Sequence, residues 1–104
     1  MSGLVNFQGV NAAALAVGLS VVVGLLPDGR LEGSEWAARN PRRPDRRPGS
    51  FKINIITGKW GDFATGERGS DLVSLAAYVT GLSQRDAAIQ LAESLGVDPY
   101  EGAR

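Results

Sequence analysis

Residues 10–26 form the longest apolar stretch of the chain, and residues 12–26 read AAALAVGLSVVVGLL. Ala12, Leu15, Ala16 and Leu19 recur at helical spacing, and Asn11 stands where a short polar side chain can accept from a free backbone N–H of the first turn. The β-branched residues Val21, Val22 and Val23 weaken the helix, so this element is expected as a buried helix that can run on into a strand. Pro27-Asp28-Gly29 signals a turn. Residues 30–39 alternate loosely and predict a strand around Glu35, Trp36, Ala37 and Ala38. Residues 50–56 alternate strictly, with Phe51, Ile53 and Ile55 on one side and Lys52 and Asn54 on the other. A tight turn at Thr57-Gly58 returns residues 59–64 as the second strand of a hairpin.

After a glycine-flanked loop at 65–69 the period becomes helical. Ser70 or Asp71 caps a helix with Leu72, Leu75, Ala76 and Val79 on one face, and Gly81 ends it. Ser83-x-x-Asp86 resembles a capping box and opens a second helix, with Ala87, Ala88, Leu91, Ala92 and Leu95 facing inward up to Gly96. Residues 98–104 read as a tail or the start of a linker. The whole predicts one α+β domain over residues 1–104: a small antiparallel sheet of about three strands, one N-terminal helix and two C-terminal helices.

Composition narrows the chemistry. A chain of 104 residues fits one domain and buries a modest core, which argues against a large active-site cleft. It has no cysteine and no histidine, which removes disulfides, a Cys/His zinc site, a thiol nucleophile and an imidazole base together. Asp45, Asp62, Glu67 and Asp71 share no ligand spacing, so no metal and no cofactor are expected. The apolar run is short for a membrane span and has no basic stretch ahead of it, so a cytoplasmic protein that leaves membranes alone is expected.

Net charge is zero, but unevenly spread: +5 over residues 39–68, −2 before them and −3 after them. Residues 40–49 read NPRRPDRRPG, whose prolines forbid helix or central strand and leave a loop. Its arginines, Arg42, Arg43, Arg46 and Arg47, with Arg39 just before, are suited to fork onto phosphates. The alternative is a solvated loop, or pairing with Glu32, Glu35 and Asp45. Lys52, Lys59 and Trp60 on the hairpin would suit stacking of single-stranded bases, the alternative being that Trp60 belongs to the core. Gly66-Glu67-Arg68-Gly69 has the look of an anion cradle, but Glu67 and Asp71 repel phosphate and the phosphate-loop spacing is absent, so a plain helix-entry turn is expected there. No constellation supports catalysis. The last two helices read as core elements that leave a possible groove for a partner helix.

From residue 40 to residue 97 the order of elements resembles the zinc-ribbon domain of bacterial, phage and plasmid DNA primases. Asn40-Pro41-Arg42-Arg43 stands where that family has C-P-x-H. Pro48-Gly49-Ser50-Phe51-Lys52-Ile53 stands at its Pro-Ser-Phe strand, with one extra glycine. Trp60-Gly61-Asp62-Phe63-Ala64-Thr65-Gly66 stands at its aromatic residue and C-F-x-C-G knuckle. Gly69-Ser70-Asp71-Leu72-Val73 matches the helix start, and Leu91-Ala92-Glu93-Ser94-Leu95-Gly96 the closing L-A-x-x-x-G. Residues 25–36 are similar to the L-x-P-x-G-R-x-E-G-x-E-W of a metal-free version at the N-terminus of mobile-element primase-helicase proteins. The ligand positions become Asn40, Arg43, Asp62 and Thr65, none of them a zinc ligand of that family, and Arg43 opposes a cation outright.

The resemblance implies a non-catalytic module that positions single-stranded DNA template in the replication of a mobile element, phage or plasmid. Arg42, Arg43, Arg46 and Arg47 would then contact DNA, supported by Lys52, Lys59, Trp60 and Arg68. The alternative is an interaction domain that docks a primase or helicase catalytic domain. Losing a structural zinc removes folding energy from a small domain. The expected replacements are the bulk of Trp36, Phe51, Trp60 and Phe63, backbone capping by Asp62 and Thr65, and Asn40 closing its own turn.

Overall fold

The computed structural model describes residues 3–42 and 49–101. Its first helix, α1 (Phe7–Ala16), starts earlier than the hydrophobic pattern suggests, because Asn6 rather than Asn11 is its cap, the Asn6 side chain accepting from Gly9 N–H at 2.9 Å. Asn11 instead reaches across the molecule to accept from Val73 N–H at 2.8 Å, which serves the first turn of another helix. The apolar stretch does not run on into a strand. It breaks at Val17 and bends by 96° into α2 (Gly18–Leu25). Burial outweighs the local β preference of the valines: Val22 is fully buried and Val21 nearly so. The break follows from close packing, since Gly18 lies against the Ile55 carbonyl, where an added Cβ would stand 2.5 Å from the oxygen.

A five-stranded antiparallel meander follows, in the order β1 (Arg30–Glu32), β2 (Glu35–Ala38), β3 (Phe51–Asn54), β4 (Trp60–Asp62) and β5 (Arg68–Gly69). The expected strands are β2, β3 and β4. The two further strands are short edge strands of three and two residues, and neither has the length to show an alternating pattern. Asn54 starts the hairpin turn after β3, its side-chain oxygen accepting from Ile56 and Thr57 N–H. Asp71 caps α3 (Leu72–Thr80) and Ser83 caps α4 (Gln84–Leu95), each accepting from the N–H three residues on, and Gly81 and Gly96 end them in the left-handed conformation. The corrected architecture is α+β with two N-terminal helices, not one.

One face of the sheet packs on the helices. Phe51 and Ile53 are fully buried beside Leu72, Leu75 and Ala88. Phe51, Trp60 and Tyr78 form an aromatic cluster with ring centroids 5.0–5.9 Å apart, and the Trp36 indole N–H donates to the Leu26 carbonyl at 2.8 Å. Phe63 was expected among this bulk but is 76% exposed. The segment expected as a tail is also tied down over its described part: Tyr100 bridges to Val5, and Glu101 N–H donates to the Leu4 carbonyl. Among the described residues no single helix is long and apolar enough to cross a membrane.

The contact at Gly18 generates a prediction. Gly18→Ala should destabilise the domain by about 1–3 kcal/mol, because the methyl group meets backbone that cannot swing aside. A urea titration checks it, and an unchanged midpoint would contradict the packing described.

Candidate nucleic-acid interface

The other face of the sheet is open over β3, β4 and β5 and covered at Ala37, and the strand register sets what it carries. Arg30 pairs with Ala37, Ala37 with Lys52, Lys52 with Gly61, and Gly61 with Arg68. Side chains of directly paired residues lie on the same face, so these five form one line across all five strands, opposite Phe51 and Ile53. Three cations thus alternate with two small residues. Glu32 partly neutralises one end of the line, 3.0 Å from Arg30 and 3.5 Å from Lys52. The Arg30 hydrogen bond, with the Lys52 charge behind it, holds the Glu32 carboxyl below the usual range. Lys59 and Arg68 make no ion pair among the described residues.

A groove of about 510 Å³ runs over this face, and Lys52, Lys59, Gly61, Phe63, Glu67 and Arg68 are in its lining. Three of the sequence-derived contact residues, Lys52, Lys59 and Arg68, therefore share one site. Trp60 is corrected: it is nearly fully buried, ringed by Phe51 and Tyr78, and its indole N–H donates to Ser74 Oγ at 3.0 Å. An indole so enclosed belongs to the core, and the small part of Trp60 left exposed borders the groove. Arg42 is exposed, with its guanidinium 5.0 Å above the Tyr78 ring. Arg43, Arg46 and Arg47 lie outside the described residues.

The groove is bounded by a knuckle at residues 62–67 that a hydrogen-bond network closes. Asn40 and Asp62 are both buried, and the Asn40 amide donates to Asp62 Oδ2 at 2.7 Å and to the Tyr78 hydroxyl at 2.8 Å. The remaining Asn40 oxygen accepts from Arg42 N–H at 2.8 Å. Asp62 Oδ1 accepts from Ala64 N–H at 2.8 Å, and Thr65 Oγ1 from Glu67 N–H at 3.3 Å. The Tyr78 hydroxyl in turn donates to Glu67. Three of the four positions that correspond to ligands in the zinc-ribbon pattern thus cap backbone, as expected, and Asn40 and Asp62 bond directly to each other.

Zinc does not fit here. The Asn40 amide nitrogen points a proton at Asp62, Thr65 is exposed, and no group of three His, Cys, Asp or Glu residues could hold a metal among the described residues.

Sequence reasoning missed Arg30, Phe63 and Tyr78. Arg30 was legible through the turn at Gly33-Ser34, which folds β1 back on β2 and fixes the register. Phe63 was legible by continuing the alternation of β4, since Trp60 and Asp62 face inward and Gly61 outward. Nothing in the sequence marks Tyr78, which meets Asn40 across 38 residues.

Two outcomes follow. Asn40→Ala and Asp62→Ala should each cost about 1–3 kcal/mol, and the double variant less than their sum, because each single change removes the same buried bond between the two side chains. Additive losses in urea unfolding would show the two side chains to be uncoupled. Burial, with the Glu67 charge adding to it, pushes the Tyr78 phenol above its ordinary 10.0. The folded state then holds that proton more tightly, so the stabilisation is complete below pH 10.0 and lost as pH rises through the folded value. Tyr78→Phe should flatten the alkaline fall in melting temperature, and an unaltered profile would assign that fall elsewhere.

Comparison with known proteins places this arrangement. No family model matches the chain, and no curated protein matches its sequence. Among solved structures it is similar to the Aquifex aeolicus primase (zinc-binding and RNA polymerase domains), at 21% identity and a TM-score of 0.68. The match covers 86% of this chain and 22% of that one. The chain therefore spans about a fifth of the primase's length and shares the fold of its zinc-binding domain.

Proposed function

We propose that this domain is a non-catalytic nucleic-acid-binding module that holds single-stranded DNA, in the manner of a template-positioning domain of a primase. The observation that carries this reading is the line Arg30, Lys52, Arg68 across the open sheet face, with Lys59 beside it. Cations spaced along an open groove match a flexible polyanion, and each phosphate they neutralise releases counterions. The +5 charge of residues 39–68 extends the same potential into the arginine-rich segment, where Arg42, Arg43, Arg46 and Arg47 would take further phosphates. The shared fold supports a setting in DNA replication, and the metal-free knuckle supports a replication protein of a mobile element such as a phage or plasmid. Trp60 is not part of the proposed surface.

A second reading has its own observation. A groove of about 430 Å³ between α2, α3 and α4 is lined chiefly by apolar residues, including Val21, Leu25, Ala76, Leu91 and Leu95. It would suit docking of a primase or helicase catalytic domain, with the helices rather than the sheet as the working surface.

Fluorescence anisotropy with a labelled single-stranded oligonucleotide separates the two. On the first reading affinity falls steeply with salt, and the Lys52→Glu, Lys59→Glu, Arg68→Glu triple variant lowers the log–log salt slope by about 2, from roughly 0.7 per phosphate contact. Absence of binding at low salt, or a slope that the triple variant leaves unchanged, would favour the docking reading.

A further inference from the structure

We infer that Phe63 is a base-stacking platform, so that the sheet groove holds an unpaired nucleotide base and selects single strands over duplex. This deepens the nucleic-acid reading above and rests on it. Phe63 is a large aromatic residue left 76% exposed in a chain that buries Trp36, Phe51 and Trp60. It does not lie on a loose loop. Its own N–H donates to the Ser50 carbonyl at 2.9 Å, and the residues on either side are joined by the bond from Ala64 N–H to Asp62 Oδ1. The ring is therefore presented from fixed backbone, which lowers the entropy lost when a base settles on it.

The neighbouring floor is open for a reason other than packing. Gly61 has no positive φ, and a Cβ built there would lie 3.5 Å from its nearest neighbours, Arg68 Cβ and the Glu67 carbonyl oxygen, which is ordinary contact. A side chain would fit, and its absence leaves the groove floor uncovered two residues from Phe63, in the same lining. Charge sets the orientation. The Glu67 carboxylate in the same lining repels phosphate, whereas Lys52, Lys59 and Arg68 attract it. A base on Phe63 with its flanking phosphates on those three cations satisfies both. Bases in a duplex are stacked on each other and cannot offer a face to Phe63, which is the source of the selectivity.

The test uses the whole chain and three labelled probes of equal length: oligothymidylate, the same backbone with abasic sites, and a duplex. Wild type should bind oligothymidylate more tightly than either other probe. Phe63→Ala, at an exposed position where folding is spared, should weaken oligothymidylate binding about tenfold and leave the abasic probe unaffected. Phe63→Trp should keep the affinity, and its added indole should be quenched on binding. Gly61→Leu should weaken oligothymidylate with Phe63 intact. If Phe63→Ala binds oligothymidylate as wild type does, or if wild type binds the abasic probe equally well, the stacking inference is overturned and phosphate binding stands. If wild type binds no probe at low salt, the nucleic-acid reading itself falls.

Discussion

The bond from the Asn40 amide to the Asp62 carboxylate is the contact on which the arrangement of the sheet groove depends. It joins the chain just after β2 to the end of β4, across the intervening β3, inside a shell where both side chains are buried. A buried carboxylate is costly unless donors surround it, and Asp62 has the Asn40 amide and the Ala64 N–H among its partners. The same two oxygens therefore fix the strand ends and the turn that follows. A tetrahedral metal would hold four points from one centre. Here Asn40, Asp62, Tyr78 and Glu67 hold them pairwise, in a chain of hydrogen bonds backed by Phe51 and Trp60.

What the knuckle fixes is the position of the groove wall. Phe63, Glu67 and Arg68 follow Asp62 within six residues, and their placement over the sheet is set by the turn it closes. The inner face takes Phe51, Trp60 and Tyr78, and the outer face carries the cations, two small residues, carboxylates and Phe63. Trp60 and Phe63 illustrate the division. They are three residues apart on one strand and its extension, so they face opposite sides, and one becomes core and the other surface. Arg42 stands over Tyr78, which brings its guanidinium to the same end of the sheet as the knuckle.

The legible parts of this fold were those with a clean period or a strong cap. The β3–β4 hairpin, α3 and α4 follow from alternation at Phe51 and Ile53 and from Asp71, Ser83, Gly81 and Gly96. The N-terminal helices were misread because an all-apolar run carries no phase, and because Asn11 has the chemistry of a cap but spends it on α3. The edge strands were hidden by their length. In the site, Lys52, Lys59 and Arg68 were legible from charge alone, but their alignment with Arg30 needed the register. The capping roles of Asn40, Asp62 and Thr65 came from the zinc-ribbon resemblance, whereas the direct Asn40–Asp62 bond, and Tyr78 with it, exists only once the chain is folded.

Amide hydrogen exchange reads the knuckle itself, because its donors are individually observable. Arg42, Ala64 and Gly66 N–H, which donate to Asn40 Oδ1, Asp62 Oδ1 and the Asp62 carbonyl, should exchange slowly. Their rates should be the same in excess zinc and in chelator. Exchange of these amides at unfolded-chain rates, or protection that appears only with zinc, would contradict a metal-free knuckle closed by hydrogen bonds.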